Sequence, residues 1–102
     1  MDRRLTLHER LIEILGNNNV YFQPPESVKL KYPCILYSKA KPRVNHADNS
    51  PYFRKSHYEL VVIDTDPDTQ IPESLEDGLD FCSIDRYYKS QNLTHCALDL
   101  YY

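Results

Sequence analysis

Asp64, Asp66 and Asp68 stand at alternate positions, the spacing of the first three ligands of a calcium-binding loop. The continuation does not follow that loop. Its sixth position is Thr69, where a glycine makes the sharp turn, and its twelfth is Leu75, where a bidentate glutamate closes the coordination shell. The three carboxylates are therefore expected in a solvated acidic turn suited to a partner's Arg or Lys. His8, His46, His57 and His95 are scattered, without HxxxH, HExxH or His/Cys zinc spacing. His57 falls in an alternating stretch and is expected as a surface or cross-strand histidine. His95 and Cys96 are successive strand residues, whose side chains point to opposite faces. A Cys/His nucleophile would need His57 or His95 to meet Cys34 or Cys82 across a sheet. Asp80, Asp85 and Asp99 raise a nuclease-like, metal-dependent carboxylate cluster; the simpler expectation is surface pairing with Arg86 or Lys89. The residues thus predict no catalytic group, no metal site and no cofactor.

The elements that must position these groups follow from hydrophobic spacing. Thr6-Leu7-His8-Glu9 has the form of a capping box, and Leu7, Leu11, Ile14 and Leu15 make one apolar stripe. A first helix is predicted from about Leu7 to Leu15, or from Arg3 if it begins a turn earlier, ending at Gly16. Val20–Phe22 reads as a short strand stopped by Pro24-Pro25, and Tyr32–Ser38 as a better one with Pro33 at its start. Lys39–Asn45 continues it or forms a separate edge strand. After the polar cluster His46–Pro51, Phe53–Asp64 is the strongest strand in the chain. Lys41 to Ile63 then reads as a long hairpin with a projecting tip. A short helix starts near Ile71-Pro72, with Ile71, Leu75 and Leu79 toward the sheet and Glu73, Glu76 and Asp77 toward water. Phe81–Tyr88 and Thr94–Tyr102 are strands about a turn at Lys89–Asn92. The predicted order is α-β-β-β-β-α-β-β, a single α+β domain over residues 1–102. It is a mostly antiparallel sheet with a long β-hairpin and two helices packed on one face.

Composition narrows the function classes further. Neither Gly16 nor Gly78 has a partner at the spacing of a phosphate-binding loop. The three cysteines, an odd number without CxxC spacing, lie in apolar runs and are expected as buried reduced thiols. No apolar h-region follows Met1-Asp2-Arg3-Arg4, and no stretch has the ~20 apolar residues of a membrane span, which predicts a reducing cytoplasm and no membrane partner. Nine tyrosines and no tryptophan suit half-buried sheets and subunit contacts.

Charge is the most informative feature. The net charge is −3, but residues 1–58 carry ten Lys/Arg against five Asp/Glu (+5) and residues 59–102 carry two against ten (−8). Lys39, Lys41, Arg43, Arg54 and Lys55 all fall on the hairpin, among Tyr37, Tyr52 and Phe53. Such a ribbon either contacts nucleic-acid phosphates or docks on a neighbouring copy's acidic loop in a head-to-tail contact. The candidate protein-interface residues are therefore Lys39, Lys41, Arg43, Arg54 and Lys55 with Asp64, Asp66 and Asp68.

The early helix, the string NVYFQPPESVKLKYPCILYS, the hairpin, IDTDPD and the ending CSIDRYYKSQNLTHCALDLYY together resemble small tail proteins of tailed phages and prophages of Gram-positive bacteria. Their organisation is similar to that of the tail terminator, or tail-completion, proteins of long-tailed phages. The resemblance covers nearly the whole chain as overall texture and carries no short diagnostic motif. It implies a virion structural protein assembled in the bacterial cytoplasm, forming a hexameric ring on the tail tube. Its expected partners are further copies of itself, the tail tube protein and the head connector, with DNA only in transit through the lumen. A head-tail connector or minor capsid protein of this size has a similar texture, and a nucleic-acid-binding module using the basic hairpin is the alternative from another class.

Overall fold

Long apolar repeats at helical and strand spacing dictate two helices lying on a sheet, and the computed structural model, which describes residues 3–41 and 55–102, has this α+β form. The elements are α1 (Arg3–Leu15), β1 (Val20–Phe22), β2 (Cys34–Ala40), β3 (His57–Asp64), α2 (Ile71–Gly78), β4 (Cys82–Ser90) and β5 (Leu93–Tyr101). The five strands lie in the order β1-β2-β3-β5-β4. Among the described residues only β1 and β2 run parallel; the other three pairings are antiparallel, so the sheet is mixed. The parallel pair arises because residues 23–33 carry the chain back before β2 begins, as any parallel neighbour requires a crossover.

α1 begins at Arg3, so Thr6 lies inside the helix and does not cap it. The extra turn is held by the Arg4 guanidinium, 4.3 Å from the Phe22 ring centre on β1. The helix stops at Gly16, whose φ of +88° suits glycine and whose N–H donates to the Ile12 carbonyl at 2.9 Å. Leu7 and Leu11 of α1, Leu75 of α2 and Leu79 just past its end are buried with Ile35, Tyr37, Leu60, Val62, Leu98 and Leu100 from the strands. Both helices thus cover one face of the sheet, as period-two patterning predicts. Removal of this apolar area from water is the main drive for folding.

β2 starts at Cys34, just past Pro33, which lacks a ladder donor. Lys39 and Ala40 belong to β2, so three strands precede α2 among the described residues, not four. The rest of the expected edge strand and the hairpin tip lie outside the described residues. The β4–β5 ladder extends to Ser90 opposite Leu93, which shortens the predicted four-residue turn to Gln91-Asn92. Both turn residues have positive φ, 52° and 63°, the twist that closes a two-residue hairpin. Among the described residues, no helix is long and apolar enough to cross a membrane.

Candidate protein-protein interface

β3 sits at the centre of the sheet, and the two candidate contact regions lie at its two ends. Its eight residues at about 3.4 Å each separate them by about 24 Å.

At the first end, Lys39 is the penultimate residue of β2 and Lys41 directly follows the strand; both are exposed. The Lys39 N–H donates to Gln23 Oε1 at 3.3 Å, fixing the β2 edge. Lys55 is half-buried, with its ammonium 5.2 Å from the Phe81 ring centre. Three of the five predicted basic residues are thus brought to one end of the sheet; Arg43 and Arg54 lie outside the described residues.

The anchor of this end is His57, which the sequence suggested as a surface or cross-strand residue. It is cross-strand, opposite Tyr101, but it is not on the surface, being only 3% exposed. Its Nδ1 meets the Lys41 carbonyl oxygen at 2.7 Å and its Nε2 meets Asp99 Oδ1 at 2.8 Å. The imidazole also stacks on Tyr101, 4.6 Å between centres and 9° from parallel. A short polar residue in a period-two pattern carries no signal for such an arrangement, because the partners arrive from β5 and from beyond β2.

At the second end, the run 64–68 is a turn built from its own carboxylates. Asp64 Oδ1 accepts the Asp66 N–H at 3.1 Å, and Asp66 Oδ1 accepts the Asp68 N–H at 2.9 Å, the Asx-turn pattern. The Asp66 carbonyl then accepts the Thr69 N–H at 3.3 Å, and Thr69 Oγ1 the Ile71 N–H at 3.3 Å, at the start of α2. Asp64 is buried rather than solvated, whereas Asp66 and Asp68 are exposed. The exposed charge of this turn is therefore carried by Asp66 and Asp68.

In the sheet the two halves of the sequence stay apart: β1 and β2, from the basic half, lie on one side of β3, and β5 and β4, from the acidic half, lie on the other. The helices bridge this division, α1 packing on α2 with Arg10 Nη2 donating to the Gly78 carbonyl at 3.3 Å.

The cysteines and histidines considered for a nucleophile do not converge: Ile63 stands between Cys34 and His95. Cys34 pairs with Ile63 at the acidic end, whereas His57 pairs with Ala40 at the basic end. Burial pushes the Cys34 thiol up to about 11, and the Asp64 charge adds to it against a backbone hydrogen bond from Ile63. Burial likewise pushes Cys82 up to about 12 and Cys96 up to about 11, so these thiols hold their protons near neutrality. All three cysteines are free. Asp85 and Asp99 line one shallow cleft with Glu59, but Asp85 is taken up by Arg86 at 2.8 Å and Asp99 by His57 at 2.8 Å, and Asp80 lies beside a different cleft. Among the described residues no group of three His, Cys, Asp or Glu side chains could hold a metal. His8 contacts the Tyr37 hydroxyl at 2.7 Å; burial, then the Arg4 charge, holds its pKa below the usual value. His95 stacks on Tyr88 at 4.8 Å. Two open clefts, of about 190 Å³ beside Arg10, Asp80 and Phe81 and about 110 Å³ beside Glu59 and Arg86, fall below the ordinary size of a ligand pocket.

A scan against protein-family models finds no match for the chain, and searches of curated proteins and of solved structures find none either.

Proposed function

We propose that this chain is a ring-forming structural subunit of a phage or prophage tail, a terminator or completion protein that caps the tail tube and meets the head connector. The observation that supports it is the placement of Lys39, Lys41 and Lys55 at one end of β3 and of Asp66 and Asp68 at the other. Identical copies with complementary charge at opposite ends attract head to tail, and a head-to-tail contact closes into a ring when its rotation divides a full turn. The texture of the sequence adds the phage context, and the free thiols suit assembly in a reducing cytoplasm.

Light scattering on the purified chain, alone and mixed with tail tube protein, tests this reading. Association is expected in at least the mixture, and the double substitution Asp66→Lys/Asp68→Lys abolishes it. A chain that stays monomeric at high concentration and also ignores the tube protein overturns the proposal. DNA binding at ~50 mM salt that falls steeply as salt rises would instead assign the basic end to phosphate contact. The net charge of −3 weighs against that outcome.

A further inference from the structure

The buried imidazole of His57 meets two acceptors at once. Its Nδ1 lies 2.7 Å from the Lys41 carbonyl oxygen and its Nε2 lies 2.8 Å from Asp99 Oδ1, with the residue only 3% exposed. A backbone carbonyl oxygen has no proton to give, so Nδ1 must carry one. A neutral imidazole has a single N–H, and that one is spent on Lys41. A bare Nε2 would then hold its lone pair against a carboxylate oxygen at hydrogen-bond distance. One more proton is needed between the two, and it belongs to the pair. Imidazole is the stronger base, ~6.5 against ~3.9 for an aspartate in their ordinary ranges, so this proton rests on Nε2.

We infer that His57 and Asp99 form a buried imidazolium–carboxylate pair that acts as a pH-sensitive tie on the chain at Lys41. With both nitrogens protonated, Nε2–H donates to Asp99 and Nδ1–H donates to the Lys41 carbonyl. When one proton passes to solvent, a single N–H is left for two acceptors. A bond to a carboxylate is stronger than a bond to a neutral carbonyl, so Nε2–H stays on Asp99 and Nδ1 is the atom that loses its proton. Its lone pair then faces the Lys41 oxygen, and the tie is undone. Lys41 is the exposed lysine directly past β2, so the proton sets how firmly part of the basic end is held.

The groups around the ring fit this assignment. β5 brings Asp99 and the stacked Tyr101, 4.6 Å between centres. β3 brings Glu59, exposed two residues along the same face, and Lys55 just before the strand, whose ammonium lies 5.2 Å from the Phe81 ring centre. Past β2 comes Lys41, while Lys39 pairs with Tyr58 on the opposite face of the sheet. β4 sets Ser83 opposite Asp99, and its Asp85 and Arg86 are paired with each other at 2.8 Å. Of these side-chain types, only imidazole ordinarily changes charge between pH 5 and 8. The tie lies within the sheet and does not rest on the head-to-tail reading.

Nuclear magnetic resonance of the full chain, labelled with 13C and 15N, tests the inference. At pH 7.5 an ordinary imidazole is about one-tenth protonated, whereas both His57 nitrogens should carry a proton. Raising the pH to 9.5 should move Nδ1 alone to its unprotonated position, and the Lys41 carbonyl carbon should shift along the same curve. Asp99→Asn places an amide N–H against Nε2, so one proton on Nδ1 then satisfies both partners. In that variant His57 should carry a single proton at pH 7.5, and the Lys41 carbonyl should not move between pH 6 and 9.5. A ring held only for packing would show neither behaviour. A single proton on His57 of the unsubstituted chain at pH 7.5 would overturn the inference. So would a Lys41 carbonyl that stays still while Nδ1 changes, both protons persisting to pH 9.5, or the same Lys41 shift in Asp99→Asn. Should Asp99→Asn not fold, the spectra of the unsubstituted chain decide by themselves.

Discussion

Both ends of β3 terminate the same central strand, yet they do so with different chemistry. At the basic end the strand is tied by side chains from elsewhere: His57 joins the Lys41 carbonyl, Asp99 and the Tyr101 ring. At the acidic end the chain is tied to itself, with Asp64 and Asp66 accepting N–H groups two residues on. The first arrangement is tertiary and buried, so a change there acts on stability. The second is local, and beyond Asp64 it is exposed, so a change at Asp68 acts on what the molecule touches. Charge of one sign is thus carried on a rigid anchor and charge of the other on a short self-supporting turn.

The largest effect should come from His57→Ala. It removes two hydrogen bonds and a stacked ring from a buried position and leaves the Lys41 carbonyl without its donor. A loss of about 2–4 kcal/mol in denaturant unfolding is expected; a loss below ~0.5 kcal/mol, the range of ordinary surface changes, would mean the two ends do not differ in this way.

At the opposite end Asp64→Ala should cost about 1–2 kcal/mol, because it removes a buried acceptor from a turn. Asp68→Ala should stay within about 0.5 kcal/mol. Equal losses for the two would show that burial of Asp64 is not what distinguishes them.

An effect absent near neutral pH, and appearing only in alkali, is a pH dependence at the acidic end. Cys34 ionises more readily in the unfolded chain, near 9, than in the folded one, where its value is about 11. Its contribution to stability is therefore complete below about pH 9 and is lost as pH rises from there toward 11. Cys82 and Cys96 act with the same sign. Thermal melts between pH 8 and 11 should show stability falling, with a shallower fall in Cys34→Ala; an unchanged slope would remove Cys34 from the account.

Much of the fold was legible because periodic burial writes itself into sequence. Leu7 and Leu11, Leu75 and Leu79, and the alternation Cys96/Leu98/Leu100 each mark the buried face of an element. At Thr6 the capping-box reading failed, while the earlier start at Arg3 that the sequence also allowed held, with Arg4 lying over Phe22. It also failed at Lys89–Asn92, where the ladder outran the turn signal and left Gln91-Asn92 to close it. The candidate contact residues were chosen from charge alone, since like charges gathered in one stretch of chain stay near one another where that stretch folds. His57 was not found as an anchor, because nothing near it in the chain is its partner.

By itself the sequence determined the element types, the buried stripes, the split of charge between its halves and the acidic turn, all of which depend on residues within a few positions of one another. Only the tertiary structure decided that β1 and β2 run parallel, that the strands of the two halves lie on opposite sides of β3, that His57 is held from β5 and that β4 is an edge strand among the described residues. Those properties depend on which strands become neighbours, and neighbours far apart in the chain are chosen by the packing of the whole sheet.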